Sequence, residues 1–523
     1  MTFNIGIIVT IIIYLGIMIG IGIFFSTKGD SSAEGFYLGG RKLGPLVAAM
    51  SAEASDMSSW LLMGLPGVAY ISGLADASWT AIGLAVGTYL NWLFVAKKLR
   101  RYSVKINAIT VPEFFSKRFH DRRNVLSLIA ALVIVIFFVP YTASGFKAVG
   151  TLVNTLFGIE YHIAMLVGAA IIVLYTILGG FLAVSTTDLI QSIVMTIALA
   201  VMVFYGTYLA GGWGAVADNA KSLSGYLSLN SLHDVATGGS SSYGVLTICS
   251  TLAWGLGYFG MPHIILRFMA IRDEKEIKTS RRIASVWVVI SMSVAILIGI
   301  IGNAVSKAGK VETFTKSSES ETIIIKLADL LSKNGFMAAI VAGLVLAGIL
   351  ACTMSTADSQ LLTAGSAISK NFFQDFCRIK MKDSTSTIIA RVVIGVVAVA
   401  AVVLAWNPDS SVFTIVSFAW AGFGGAFGAV MLFSLFWKRM NFAGALAGMI
   451  SGGAMVFIWK FIIRVQFAKT ILNIYELLPA FITSCLFIVI VSLVSKKPSA
   501  EIVAEFESVS AKNAGAELAK ASK

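Results

Sequence analysis

Two carboxylates, Glu53 and Asp56, stand inside an otherwise apolar stretch, in the run Ser51-Ala52-Glu53-Ala54-Ser55-Asp56-Met57-Ser58-Ser59-Trp60. At bilayer depth each costs on the order of 2.5–3.5 kcal/mol. The small and hydroxyl residues around them favour backbone that leaves the helix and offers free carbonyls. Such a break is tolerated only where it is buried in protein or lines a cavity. Hydroxyls alone would suffice to glue helices together; the added carboxylates make this run a binding site. A second group lies in residues 351–360, where the hydroxyls of Ser355 and Thr356 and nearby carbonyls suit a hard monovalent cation with oxygen ligands. Neutral oxygens favour an ion such as Na⁺ that is bound and then released. A third is Asp188, in Ser185-Thr186-Thr187-Asp188 after Gly179-Gly180, which reads either as a helix cap or as part of an ion path.

The elements that must hold these groups are membrane spans. Hydrophobic residues are 57% of the 523 and charged residues 13%, against about 25% charged in soluble domains, so too little polar surface exists to coat a water-soluble fold. Apolar stretches of about 20 residues or more run roughly over 2–25, 44–72, 76–96, 124–148, 161–180, 181–211, 241–262, 282–305, 336–368, 386–406, 411–436, 440–463 and 474–495, about thirteen in all. The first has no basic residue before Lys28 and no clean small-residue cleavage site, so it reads as a retained helix rather than a signal peptide. Lys and Arg concentrate in 97–123, 263–282, 370–391, 438–439 and after 496, which places those segments in the cytoplasm, the N-terminus outside and the C-terminus inside. The formal net charge of +13 follows from this topology and from anionic lipid, not from nucleic acid. From about Pro498 the sequence reads as a frayed helix or disordered tail.

The second stretch is broken by its polar run. The seventh is broken in Thr251-Leu252-Ala253-Trp254-Gly255-Leu256-Gly257-Tyr258-Phe259-Gly260-Met261-Pro262, where three glycines and a proline should unwind or kink a helix. Paired interruptions in corresponding spans point to a transporter of inverted repeats with its site at midplane. The starts of the two broken spans, the second and the seventh, are five helices apart, which suits two five-helix units of opposite orientation. The cysteines Cys249, Cys352, Cys377 and Cys485 have no paired spacing, and His120, His162, His233 and His263 form no metal pattern, so neither a disulfide framework nor an enzyme centre is indicated.

Together these runs resemble the solute:sodium symporter family, specifically its sodium/proline branch. The similarity extends from Tyr37-Leu38-Gly39-Gly40-Arg41 to Trp437 and is strongest in 54–67, 254–263, 354–356 and 417–427. The resemblance implies an all-α integral membrane fold with an amino-acid-transporter-like core of two inverted five-helix repeats. One extra helix (1–43) precedes this core (44–436), and two helices (437–497) and a cytoplasmic tail (498–523) follow it, in a single transport domain. It implies a sodium ion held by backbone oxygens of Ala54, Met57 and Cys352 and the hydroxyls of Ser355 and Thr356. For a proline substrate the matching positions are Trp60, Tyr141, Trp254, Tyr258 and Pro262; aromatic faces can cover the ring and attract its ammonium. Asp56 and Ser58 match residues that couple ion to substrate, and Asp188 a carboxylate of the ion pathway. Cys352, Glu53, Ser59 and Met261 depart from residues common in the family. The expected function is sodium-driven L-proline uptake by alternating access across the plasma membrane, without enzymatic activity. The same machine with another amino acid, a sugar, sialic acid or pantothenate is the alternative cargo reading. A membrane sensor is the alternative class, disfavoured because the stretch after the last span is too short for a kinase.

Overall fold

The computed structural model describes residues 4–28, 32–178 and 180–510. Among them, ten helices are long and apolar enough to cross a membrane, and eleven if the bent pair Val245–Gly257 and Pro262–Ala270 is one span. Two further apolar helices, Trp60–Ser72 and Tyr161–Ile177, are shorter. The stretches that fall outside the count of ten are thus the two with internal breaks and one of limited length. Gly179 of the expected Gly-Gly turn lies outside the described residues; its neighbour Gly180 is extended and precedes helix Phe181–Leu209.

Helices Phe336–Phe376 and Val412–Phe436 are the most deeply buried. Ile5–Phe24, Ser384–Leu404, Phe442–Gln466 and Leu477–Val494 present mostly apolar surface outward, where lipid replaces water as their solvent. Polarity follows this gradient. Helix Phe336–Ser366 carries Ser355, Thr356, Asp358, Ser359 and Gln360, all buried, and such residues are tolerated inside a bundle where they find partners.

Glycines set how closely the broken segment 245–270 approaches its neighbours. A Cβ at Gly255 would lie 2.2 Å from the Gly83 carbonyl oxygen, and one at Gly257 would lie 1.9 Å from Nε1 of Trp420. Here glycine serves backbone contact, the usual means of tightening membrane helices, as well as the expected interruption. The bend itself comes where the helix stops after Gly257 and restarts at Pro262, an angle of 44°.

Several segments read as loops are ordered. The basic stretch from Lys97 continues as helix to Lys105, and Val111–Arg118 is a second helix. Residues 263–270, expected as the start of a cytoplasmic loop, belong to the wholly buried helix Pro262–Ala270; the apolar run Ile264-Ile265-Leu266 and Phe268-Met269 drives it inward despite Arg267. Between helix Ile277–Lys307 and helix Phe336–Ser366, Glu321 is buried and accepts from Ser411 Oγ (2.7 Å), Val412 N (3.0 Å) and Phe413 N (3.1 Å), tying that connection to the start of helix Val412–Phe423. Burial pushes its carboxyl above the ordinary range, opposed by those three donors. The tail contains a helix, Ala500–Ser510, that buries Ile502, Phe506 and Val509.

Candidate functional site: two broken spans and the helix between them

Helix Pro45–Asp56 starts on Gly44 with proline in its first turn, where a missing N–H costs nothing. It ends at Met57, whose ψ of 9° turns the chain out of the helix. Past the bend, Trp60–Gly64 form a wide turn in which the Leu65 N–H reaches back five residues to Trp60 O. Pro66 explains this widening, because it cannot donate to the carbonyl four residues earlier and its ring pushes that carbonyl away.

Three successive carbonyls at the bend receive side-chain donors from three other helices. Ala54 O accepts from Ser355 Oγ (2.8 Å) and, at the limit of hydrogen bonding, Thr356 Oγ1 (3.5 Å). Ser55 O accepts from His263 Nε2 (3.2 Å), which fixes the proton on that ring nitrogen. Asp56 O accepts from Tyr141 Oη (3.1 Å) and Trp60 Nε1 (3.4 Å). Ser355 also donates to Cys352 O at 3.2 Å. The structure therefore brings together Ala54, Cys352, Ser355 and Thr356 of the five predicted ion ligands. Met57 is buried at the bend three residues on, its N–H closed on Glu53 O at 2.9 Å. Among the described residues no hydrogen bond joins it to Ser355 or Thr356. Neutral oxygens from two helices 300 residues apart in sequence suit a hard, weakly held cation. Among the described residues no group of three or more His, Cys, Asp or Glu could hold a metal ion.

Aromatic rings form the adjoining layer. Tyr258 Oη donates to Asp56 Oδ2, while Asp56 Oδ1 has no partner among the described residues. Trp60 and Trp254 face each other with ring centroids 6.2 Å apart, and Trp254 stacks on Tyr475 at 5.0 Å. Trp420, which nothing in the sequence singles out, donates Nε1 to Trp254 O (2.7 Å) and meets the Tyr258 ring edge-on at 5.1 Å. Trp60, Tyr141 and Tyr258 thus contact Asp56, and Trp254 joins them through Trp60. Pro262 opens the second half of the bent segment and is buried. Ser58 Oγ lies 3.4 Å from the Trp60 amide.

Asp188 lies two turns inside helix Phe181–Leu209, so the cap reading fails. It is fully buried and accepts from Ser51 Oγ (2.6 Å), Ser55 Oγ (3.2 Å) and Arg267 Nη2 (3.1 Å). Arg267 further donates to Ser51 Oγ (3.0 Å), Ser359 Oγ (2.6 Å) and the His263 carbonyl (2.8 Å). Sequence reasoning counts Arg267 among loop charges and misses it as a partner. The available signal is its place inside an apolar run, four residues after His263. Glu53 accepts from Thr88 Oγ1 (2.9 Å) and Trp92 Nε1 (3.1 Å), partners equally unforeseen.

Comparison with known proteins accords with this arrangement. The model of the sodium:solute symporter family matches residues 36–452. The chain is 41% identical over 497 residues to an osmoregulated proline transporter of Bacillus subtilis, covering 95% of this chain and 96% of that protein. It is 42% identical over 504 residues to a sodium/proline symporter of Salmonella typhimurium, covering 95% of each. Among solved structures, a substrate-bound, outward-open Na⁺-coupled sialic acid symporter superposes with a TM-score of 0.75, over 95% of this chain and 99% of that one, at 17% identity. That likeness concerns the fold alone.

Proposed function

The chain belongs to the sodium:solute symporter family, and we propose that it couples inward sodium flow to uptake of L-proline by alternating access. The observation that carries the reading is the meeting of Ser355 and Thr356 with the Ala54 carbonyl, at the point where the first broken span bends. Proline as cargo rests on the full-length similarity to proline transporters at 41–42% identity. Relatives of this kind are transporters, and the chain is a transporter rather than an enzyme.

Sodium, a co-transported substrate, occupies the neutral oxygen set of Ala54, Cys352, Ser355 and Thr356, with Met57 as the fifth ligand once the bend adjusts. Its charge replaces the hydroxyl protons now donated to Ala54 O and fixes the bend. Proline then enters beside Asp56, its ring between Trp60 and Trp254 and its ammonium facing aromatic π-clouds. Asp56 and Ser58 transmit ion occupancy to that pocket, because they lie two and four residues beyond Ala54 on the same bend. Asp188, joined through Ser51 and Ser55 to the same helix, lies on the ion's exit route. Rocking of the bundle that contains both broken spans exposes both solutes inward.

The finer architecture follows the same reading. Counting each broken span once and adding the short helix Tyr161–Leu178 supports thirteen spans, with the N-terminus outside and the C-terminus in the cytoplasm. Residues 44–436 form two inverted five-helix repeats, between one preceding helix (1–43) and two following helices (437–497) with a tail. One positive charge falling through 100 mV supplies about 2.3 kcal/mol, and a tenfold sodium gradient about 1.4 kcal/mol. Together they sustain a proline gradient of several hundredfold at one ion per substrate.

The test is uptake of labelled proline into proteoliposomes under imposed Na⁺, K⁺ or H⁺ gradients. Accumulation driven by inward Na⁺ alone is expected. Accumulation driven equally by H⁺, or none with correctly inserted protein, overturns the assignment.

A further inference from the structure

A groove of about 550 Å³ opens between helix Phe181–Leu209 and helix Ile277–Lys307. Its walls are apolar, from Leu199 and Ala200 on one side and Val286, Ile290 and Val294 on the other. Its floor is Met50, in the first broken span three residues before Glu53 and only 7% exposed. The surface is therefore a recess of ligand-site size. At one end stands Arg282, and Lys278 precedes it by four residues on the same helix face. Both are exposed, and among the described residues neither is in an ion pair, whereas neighbouring Arg272 is held by Glu276. Partway along, Trp287 Nε1 donates to Thr196 Oγ1 at 2.9 Å, which keeps the indole fixed at the groove.

We propose that this groove is a site for one anionic phospholipid, with its phosphate on Lys278 and Arg282 and an acyl chain laid over Met50. Apolar walls exclude a polar solute, and unpaired cations at one end select an anion; an amphiphile with both parts satisfies the two at once. Basic pockets between membrane helices recognise lipid headgroups by this combination. Because the floor belongs to the helix that bends at Met57, lipid in the groove rests directly on an element of the transport site.

The experiment uses full-length protein in phosphatidylcholine nanodiscs containing a minor fraction of lipid with brominated acyl chains, either phosphatidylglycerol or phosphatidylcholine. Quenching of Trp287 is isolated by difference from Trp287→Phe. Brominated phosphatidylglycerol should half-quench Trp287 at a mole fraction about tenfold lower than brominated phosphatidylcholine, given two basic residues at the headgroup. The preference should vanish in the Lys278→Gln/Arg282→Gln double variant. It should also weaken in Ser291→Leu, which fills the groove and leaves both cations in place. Equal quenching of the wild-type protein by the two lipids, the mark of ordinary boundary lipid, overturns the proposal. Survival of the preference in both variants does the same.

Discussion

The first broken span, 45–72, brings acceptors to the centre of the molecule, whereas the second, 245–270, brings donors. Ser55 O, Asp56 Oδ2 and the Ser51 hydroxyl on one side meet His263, Tyr258 and Arg267 on the other. The order is antiparallel: 51, 55 and 56 pair with 267, 263 and 258. Each break would leave polar groups stranded in hydrocarbon if it stood alone; together they satisfy much of each other's demand. Asp56 Oδ1 and Glu53 Oε2, two carboxylate oxygens without a partner among the described residues, lie on the acceptor side, where a cation or an ammonium has most to offer. A pair of breaks thus folds as one structure.

Breaking the pairing at its charged rung should have the largest effect. Arg267→Met leaves Asp188 buried without a counter-charge and should destabilise the protein by about 3–5 kcal/mol, read as a lowered thermal unfolding temperature in detergent. Adding Asp188→Leu should recover most of that loss. If single and double variants unfold alike, the two groups are not a mutually dependent pair. Removing the acceptor at the middle of the site, Asp56→Ala, should lower sodium-driven proline uptake on the order of 100-fold, equivalent to about 2.7 kcal/mol, in protein that still inserts and purifies normally. Uptake within a fewfold of wild type would remove Asp56 from the coupling machinery.

Tyr258→Phe deletes only the donor facing Asp56 and should cost about 1.5–3 kcal/mol in proline binding, measured as a raised Kd at saturating sodium. An unchanged Kd would make that rung structural. Gly257→Ala tests the close packing behind the donor side. Its Cβ would overlap the Trp420 indole, and overpacking of this kind costs about 1–3 kcal/mol. Loss of thermal stability with Trp420→Ala as a partial rescue is expected; a stability equal to wild type would show that Trp420 moves freely.

Much of this comparison is legible in the amino-acid sequence. Glu53, Asp56 and the hydroxyls of 355–356 stand out because hydropathy penalises them, so their presence in apolar stretches needs a reason. The break at 254–262 announces itself through glycine and proline. What the sequence does not carry is which group meets which. Arg267 looks like one more basic loop residue, because charge counting cannot tell a guanidinium at the membrane edge from one folded inward onto Asp188. Trp420, Thr88 and Trp92 are ordinary helix residues until tertiary packing turns them toward Trp254 and Glu53. Asp188 could be a cap or a partner by sequence alone; only the helix start at Phe181, two turns earlier, decides between them.

Whether ion and proline share one site built on the first bend is read directly from equilibrium binding of labelled proline to purified protein across a sodium titration, for wild type and Thr356→Ala. Wild type should bind proline only with sodium present. Thr356→Ala should need about tenfold more sodium yet reach the same proline affinity at saturation. Proline binding that is independent of sodium, or a variant whose proline affinity falls without any change in its sodium requirement, would contradict the account.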